Sequence, residues 1–158
     1  MLRTTDVLES IIAGLRKKYD LPVYAREVID GFDEPCFFVQ VIRTQNNMGK
    51  NFNSNRISIM IYYFASDEGN VEDDFMDIAD DIRAMFGQGF WAGGRHLMPL
   101  EVDDERTGEQ QNILVVTIRL SFFDDTGYDA DEGYEIMQEL TARVNNSSIN
   151  TKEEILSN

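Results

Sequence analysis

The chain has 158 residues, 42% hydrophobic and 11% aromatic, which suits one domain with a real core, leaves too little for two, and excludes a disordered polypeptide. Acidic residues outnumber basic ones by 29 to 14, for a net charge of -15, so the surface is ill suited to displacing counterions from a nucleic-acid backbone or to lying on an anionic membrane. A single cysteine, Cys36, excludes an intramolecular disulfide, and with no secretory signal or bilayer-length apolar run to be seen the expected location is a cytoplasm.

In residues 6–18, Leu8, Ile11, Ile12 and Leu15, followed by Tyr19, fall on one stripe of a helix. Asp6, with Glu9 three positions on, is expected to cap its start, and Arg16, Lys17 and Lys18 suit the negative end of the helix dipole. Gly14 costs that helix about 1 kcal/mol relative to alanine, a deficit that tertiary packing must supply. Leu21-Pro22 ends the helix, a short strand is expected over 23–29, and Asp30-Gly31 reads as a turn. Pro35 has no N–H for a sheet ladder and so marks the start of the next strand, 36–43, whose residues are apolar on both faces and which is expected to be the more central one. A polar connection is predicted over 44–55. Residues 56–64 then alternate, with Ile57, Ile59, Ile61 and Tyr63 on one face, as a half-buried strand requires.

Val71, Phe75, Ile78, Ile82 and Met85 repeat by four and three, which predicts an amphipathic helix ended by Gly87. Its opposite face carries Glu72, Asp73, Asp74, Asp77, Asp80 and Asp81. Carboxylates beyond the first turn do not favour the helix dipole, so helix stability does not account for them. A glycine-rich connection over 88–95 holds the only tryptophan, Trp91, and leads to two strands at 96–103 and 110–123 joined by a turn-forming cluster at 104–108. Pro99 places the first of these at a sheet edge. Tyr134, Met137, Leu140, Thr141 and Val144 give a weaker helical stripe, and 145–158 is polar apart from Ile149, Ile155 and Leu156. The expected fold is α+β: a mixed or antiparallel sheet of about five strands with two main helices packed on one face, plus a C-terminal helix and tail. Residues 1–125 form the domain and 126–158 an extension.

Candidate chemistry is thin. Carboxylates three and four apart on the Asp73 to Asp81 face could share a divalent cation, yet no histidine or second acidic strand accompanies them, and a solvated face is the better reading. Gly87-x-Gly89 and Gly93-Gly94-Arg95 lack the Lys-Ser or Lys-Thr of a phosphate loop, and His96 has no nucleophile motif to serve. The segment after Asp124 superficially resembles a calcium loop, but counted from Asp129 its glycine falls at position five, where the pattern needs six. Cys36 reads as a small buried hydrophobe. No catalytic, metal or cofactor residue is therefore assigned, and no enzyme is expected. Two segments suit an interaction protein instead: the long connection, with Asn47, Met48, Lys50, Asn51 and Phe52, and the C-terminal tail, with Ile149, Ile155 and Leu156 available to dock on a neighbour's groove or sheet edge.

The amphipathic first helix, the short strand at Val23-Tyr24, the run Glu34-Pro35-Cys36-Phe37-Phe38-Val39, the polar excursion and a strand closing on Tyr62-Tyr63-Phe64 before an acidic helix together resemble the tail-terminator family. The family serves phages of Gram-positive bacteria and phage-tail-like particles, and the resemblance spans residues 6–124; the segment beyond departs from the family's shorter pattern. It implies a structural protein whose copies form a ring, typically a hexamer, on the head-proximal end of the tail tube. The ring stops tube polymerisation and offers a surface to the head-tail connector and, in contractile particles, to the sheath. Partners would then be other copies of the chain, the tube protein, the connector and the sheath, with DNA only in transit and no membrane. The location would be the virion tail, after assembly in the host cytoplasm. On this reading Asp73, Asp74, Asp77, Asp80 and Asp81 line the lumen, the 44–55 connection touches the tube, and the C-terminal segment reaches a neighbouring subunit or the sheath. The charge also admits a different class, an acidic mimic of DNA that blocks a nucleic-acid-binding protein.

Overall fold

The computed structural model describes residues 1–25, 31–66, 71–127, 141–144 and 147–150. In chain order its elements are α1 (Thr4–Lys18), β1 (Val23–Tyr24), β2 (Cys36–Asn47), β3 (Phe52–Phe64), α2 (Val71–Phe86), β4 (Phe90–Ala92), β5 (Arg95–Leu97), β6 (Pro99–Thr107), β7 (Ile113–Asp125), β8 (Thr141–Val144) and β9 (Ser147–Asn150). Residues 1–126 form one compact unit and 127–158 a second.

In the first unit the alternating runs build a five-stranded sheet of order β1-β2-β3-β7-β6, antiparallel except for the parallel β1–β2 pair. The register sets Phe37 beside Tyr63 and Val39 beside Ile61, and on the other side of β3 it sets Ile61 beside Val116 and Ile59 beside Ile118. These side chains share one face by the two-residue period of a strand. They are buried with Val7, Ile11 and Leu15 of α1 and Phe75, Ile78, Ile82 and Phe86 of α2 in one core. Aromatic contacts place both helices on that face: Tyr19, just after α1, lies 5.1 Å from Phe37, and Phe75 of α2 meets Tyr63 edge-on at 5.9 Å. The α+β architecture and its two helices thus stand as the sequence predicts, and Pro99 does open an edge strand, β6.

Several local expectations are corrected. The central strand is β3, since β2 is covered on its far side by β1 only at Phe37 and Phe38. Its apolar start on both faces has another cause: Phe38 packs on Tyr62 at 5.7 Å and Phe32 on Phe64 at 5.0 Å, a small aromatic cluster on the sheet face away from the helices. Of the polar stretch 44–55, only 48–51 lies outside the strands. Thr44 to Asn47 pair with Asn53 to Arg56, and β7 runs beside β3 as far as Phe52, so ladder partners extend the strands where side-chain polarity suggested a break. Helix α1 starts two residues early, and Asp6 accepts a hydrogen bond from the Arg3 N–H at 3.2 Å from within the first turn, with Arg3 at the cap.

The predicted strand 96–103 is divided between β5 and β6, the glycine-rich connection before it carries β4, which pairs with β5, and Asp104 to Thr107 lie in β6, with the turn at 108–112. Strand β1 covers only Val23–Tyr24 of the predicted 23–29, whose last residues lie outside those described. The second unit contains the antiparallel hairpin β8–β9. Thr141 and Val144, the end of the predicted C-terminal helix, are therefore in a strand, and Tyr134, Met137 and Leu140 fall outside the described residues.

Candidate interaction surfaces

The β2–β3 hairpin closes with the Met48 N–H donating to the Phe52 carbonyl at 3.0 Å. The end of β7 ties the tip down: the Thr126 N–H donates to the Asn51 carbonyl at 3.1 Å, and the Thr126 hydroxyl donates to the carbonyl of Lys50. A braced tip of this kind presents apolar side chains without first having to order them. Met48, Phe52 and Phe123 are 64%, 60% and 63% exposed. Phe52 lies opposite Asp125 and Phe123 opposite Ser54, so the two phenylalanines occupy neighbouring positions on the sheet face away from the helices.

Beneath the tip a polar cluster locks the same end of the sheet. Arg43 donates from Nε and Nη2 to Asn55 Oδ1 at 2.9 and 2.7 Å, and from Nη1 to the Leu2 carbonyl at 2.7 Å. Asp124 lies 3.9 Å from Arg43 and 3.8 Å from Arg95, and accepts the Leu2 N–H at 2.8 Å. Both guanidinium groups sit over the Phe122 ring, at 5.9 and 4.9 Å. Asn55 is completely buried and Asn53 nearly so. These buried asparagines were hidden in a polar stretch, although the alternation of Ile57, Ile59 and Ile61 carried backwards reaches both positions.

On α2, Asp73, Asp74, Asp77 and Asp80 are exposed, while Asp81 is turned toward α1. Its carboxylate accepts the Tyr19 hydroxyl at 2.6 Å and lies 3.7 Å from Lys18. Burial, then the Asp81 hydrogen bond and charge, push the Tyr19 phenol well above its ordinary range. Asp80 pairs with Arg83 at 3.3 Å, and Arg83 also meets Asp104. Glu72 pairs with Arg106, whose guanidinium lies 5.3 Å from the Phe75 ring centre, and that hydrogen bond lowers the Glu72 carboxyl below its usual value. The five-carboxylate face of the sequence reading is thus four exposed aspartates and one interhelical contact. Among the described residues no three metal-binding side chains converge.

Cys36 is buried, and burial followed by the charges of Glu34 and Asp33 pushes its thiol up to about 11. Ile149 lies in β9, while Ile155 and Leu156 fall outside the described residues. A further surface went unrecognised in the sequence. Trp91, 67% exposed, stands on the β4–β5 hairpin with its ring edge-on to His96 at 5.4 Å, and Met98 and Leu100 just beyond the hairpin are also exposed. The hairpin seats against α1, where Ser10 donates to the Trp91 carbonyl. At Gly93, with a φ of +55°, a Cβ would come within 2.8 Å of Asp6 and Leu2 side-chain atoms. A lone tryptophan in a glycine-rich stretch was the available signal.

The fold and these surfaces define a class: an acidic α+β domain whose most exposed features are braced apolar projections and an aspartate-lined helix. A family model described as phage tail terminator protein matches residues 6–133, and the chain belongs to that family, which gives it a structural role in a phage tail among other tail proteins. A search of curated proteins finds no match. One solved structure aligns over 82% of this chain and 99% of its own at 11% identity and a TM-score of 0.44.

Proposed function

We propose that copies of this chain close into a ring, hexameric by family resemblance, that caps the head-proximal end of the tail tube, stops its growth and receives the connector and, in a contractile tail, the sheath. The observation that carries this reading is the hairpin tip. Met48 and Phe52, with Phe123 beside them, are exposed apolar side chains on a turn held by the end of β7, and apolar anchors on a rigid support suit a permanent contact. Asn47, Lys50 and Asn51 complete the tip that meets the tube. Asp73, Asp74, Asp77 and Asp80 face the lumen, where repulsion from phosphate keeps DNA moving; Asp81 serves the helix pair instead. Residues 126–158 act as an extension that reaches a neighbouring subunit or the sheath.

The test is co-assembly with the cognate tube protein, followed by electron microscopy of tube length and of tube ends. Wild-type protein is expected to give capped tubes of defined length. The double variant Met48→Ser/Phe52→Ser should keep its circular dichroism spectrum and yield overlong, uncapped tubes. Tubes of normal, finished length made without the protein would overturn the proposal, as would tight binding of the chain to a DNA-binding protein in place of the tube.

A further inference from the structure

The two edges of the five-stranded sheet differ in kind. Edge strand β6 starts at Pro99, has a register irregularity between Pro99 and Glu101, and carries Glu101, Asp103, Asp104 and Glu105. A proline, a bulge and a row of carboxylates are the devices that keep another strand from adding to an edge. The opposite edge has none of them. Beyond Phe38, which faces Tyr24 of β1, no strand lies along β2 among the described residues. Its residues 40–47 include no proline and no carboxylate, and their one charge, Arg43, is turned inward onto Asn55 and the Leu2 carbonyl. This leaves a row of main-chain donors and acceptors without the proline, bulge and carboxylates that guard β6.

The second unit supplies a strand in search of a sheet. Strands β8 and β9, four residues each, pair with each other as a separate two-stranded sheet. A lone hairpin of that size is marginal in water and gains stability by joining a larger sheet. Residues 126–140 connect it to β7; at about 3.3–3.6 Å per residue they reach at most roughly 50 Å, more than the roughly 35 Å breadth of a domain of this size.

We infer that the open edge of β2, residues 40–47, receives the β8–β9 hairpin of a neighbouring copy, so that each subunit gives one arm and accepts another. The inference rests on the ring reading above and deepens it. An edge that takes an arm and an arm that takes an edge are two different surfaces on one chain, the head-to-tail relation that a closed ring requires. Pairing of two β2 edges with each other would instead give a twofold dimer.

Disulfide trapping in the full-length chain tests this, because native Cys36 is buried and leaves the introduced thiols to report. Gln45→Cys on the edge and Ser148→Cys in the hairpin are made singly and together, with Glu101→Cys on β6 as the comparison edge. Under mild oxidation an equal mixture of the Gln45→Cys and Ser148→Cys proteins should give a reducible dimer that neither gives alone, and the double variant a reducible ladder of multimers. A crosslink confined to single chains, a Gln45→Cys homodimer, or preferred linkage of Ser148→Cys to Glu101→Cys would each overturn the inference. Mass measurement of the same samples separates the two readings: rings without the crosslink overturn arm exchange alone, and neither rings nor crosslink overturns both.

Discussion

Asn55 is completely buried, and two N–H groups of Arg43 converge on its side-chain oxygen. Arg43→Met would leave that oxygen without either donor, strip a donor from the Leu2 carbonyl, and leave Asp124 facing Arg95 without its second cation. Losses of this type cost about 2–4 kcal/mol, so the urea midpoint should fall accordingly, and Arg43→Lys, unable to reproduce the fork, should recover little. A second residue, Tyr19, adds a pH dependence. Its folded-state pKa is raised by burial and by Asp81, so its contribution is full below the ordinary phenol value and declines as pH rises past about 10. Tyr19→Phe should cost about 1 kcal/mol at neutral pH and flatten the alkaline limb of the stability profile. Cys36 should resist a thiol reagent at pH 8 in the native protein and react fully in denaturant, because its thiol is both buried and raised to about 11.

Elements were legible in the sequence where one period ran without interruption. Helix α2 and strands β3 and β7 alternate or repeat over many residues, and the structure has them close to where the pattern puts them. What failed was the use of polarity to locate breaks. Thr44 to Asn47 and Asn53 to Asn55 are polar yet paired, because a ladder is made of main chain and tolerates any side chain a neighbour can cover or solvent can take. The exposed surfaces were legible only in part: the hairpin-tip residues stood out as Met48 and Phe52 among asparagines, whereas the role of Asp81 needed Tyr19 brought in from just beyond the end of α1. Gly14 shows how an element's cost is explained by its neighbour. A Cβ there would come within 2.7 Å of Phe86, which is itself buried and edge-on to Phe90 at 5.6 Å. Gly14→Ala gains about 1 kcal/mol of helix propensity and meets an overpacking cost of about 1–3 kcal/mol. The expected outcome is a lower Tm, and Gly14→Ala combined with Phe86→Leu should recover part of the loss.

For the whole molecule, the excess of carboxylates becomes a matter of assembly. If Asp77 and Asp80 of each copy face a common lumen, they repel their counterparts across and around the ring, and that repulsion is relieved as salt shortens the screening length to about 8 Å near physiological ionic strength. Rings should then dissociate more readily at low salt than at high salt. The variant Asp77→Asn/Asp80→Asn removes two charges from positions past the first turn of α2, where they contribute nothing favourable to the helix dipole, and its surface pair with Arg83 is worth little. Its rings should therefore hold together at low salt, and the salt dependence of dissociation should shrink, with thermal stability of the subunit nearly unchanged. Analytical ultracentrifugation across a salt series reads this directly. An outward-facing α2 would hold the counterparts of neighbouring copies farther apart, where screening leaves little repulsion at moderate salt, and wild type and variant would then have nearly the same salt curve, which would remove the acidic lumen from the proposal while leaving the tube contact at Met48 and Phe52 to stand or fall by its own test.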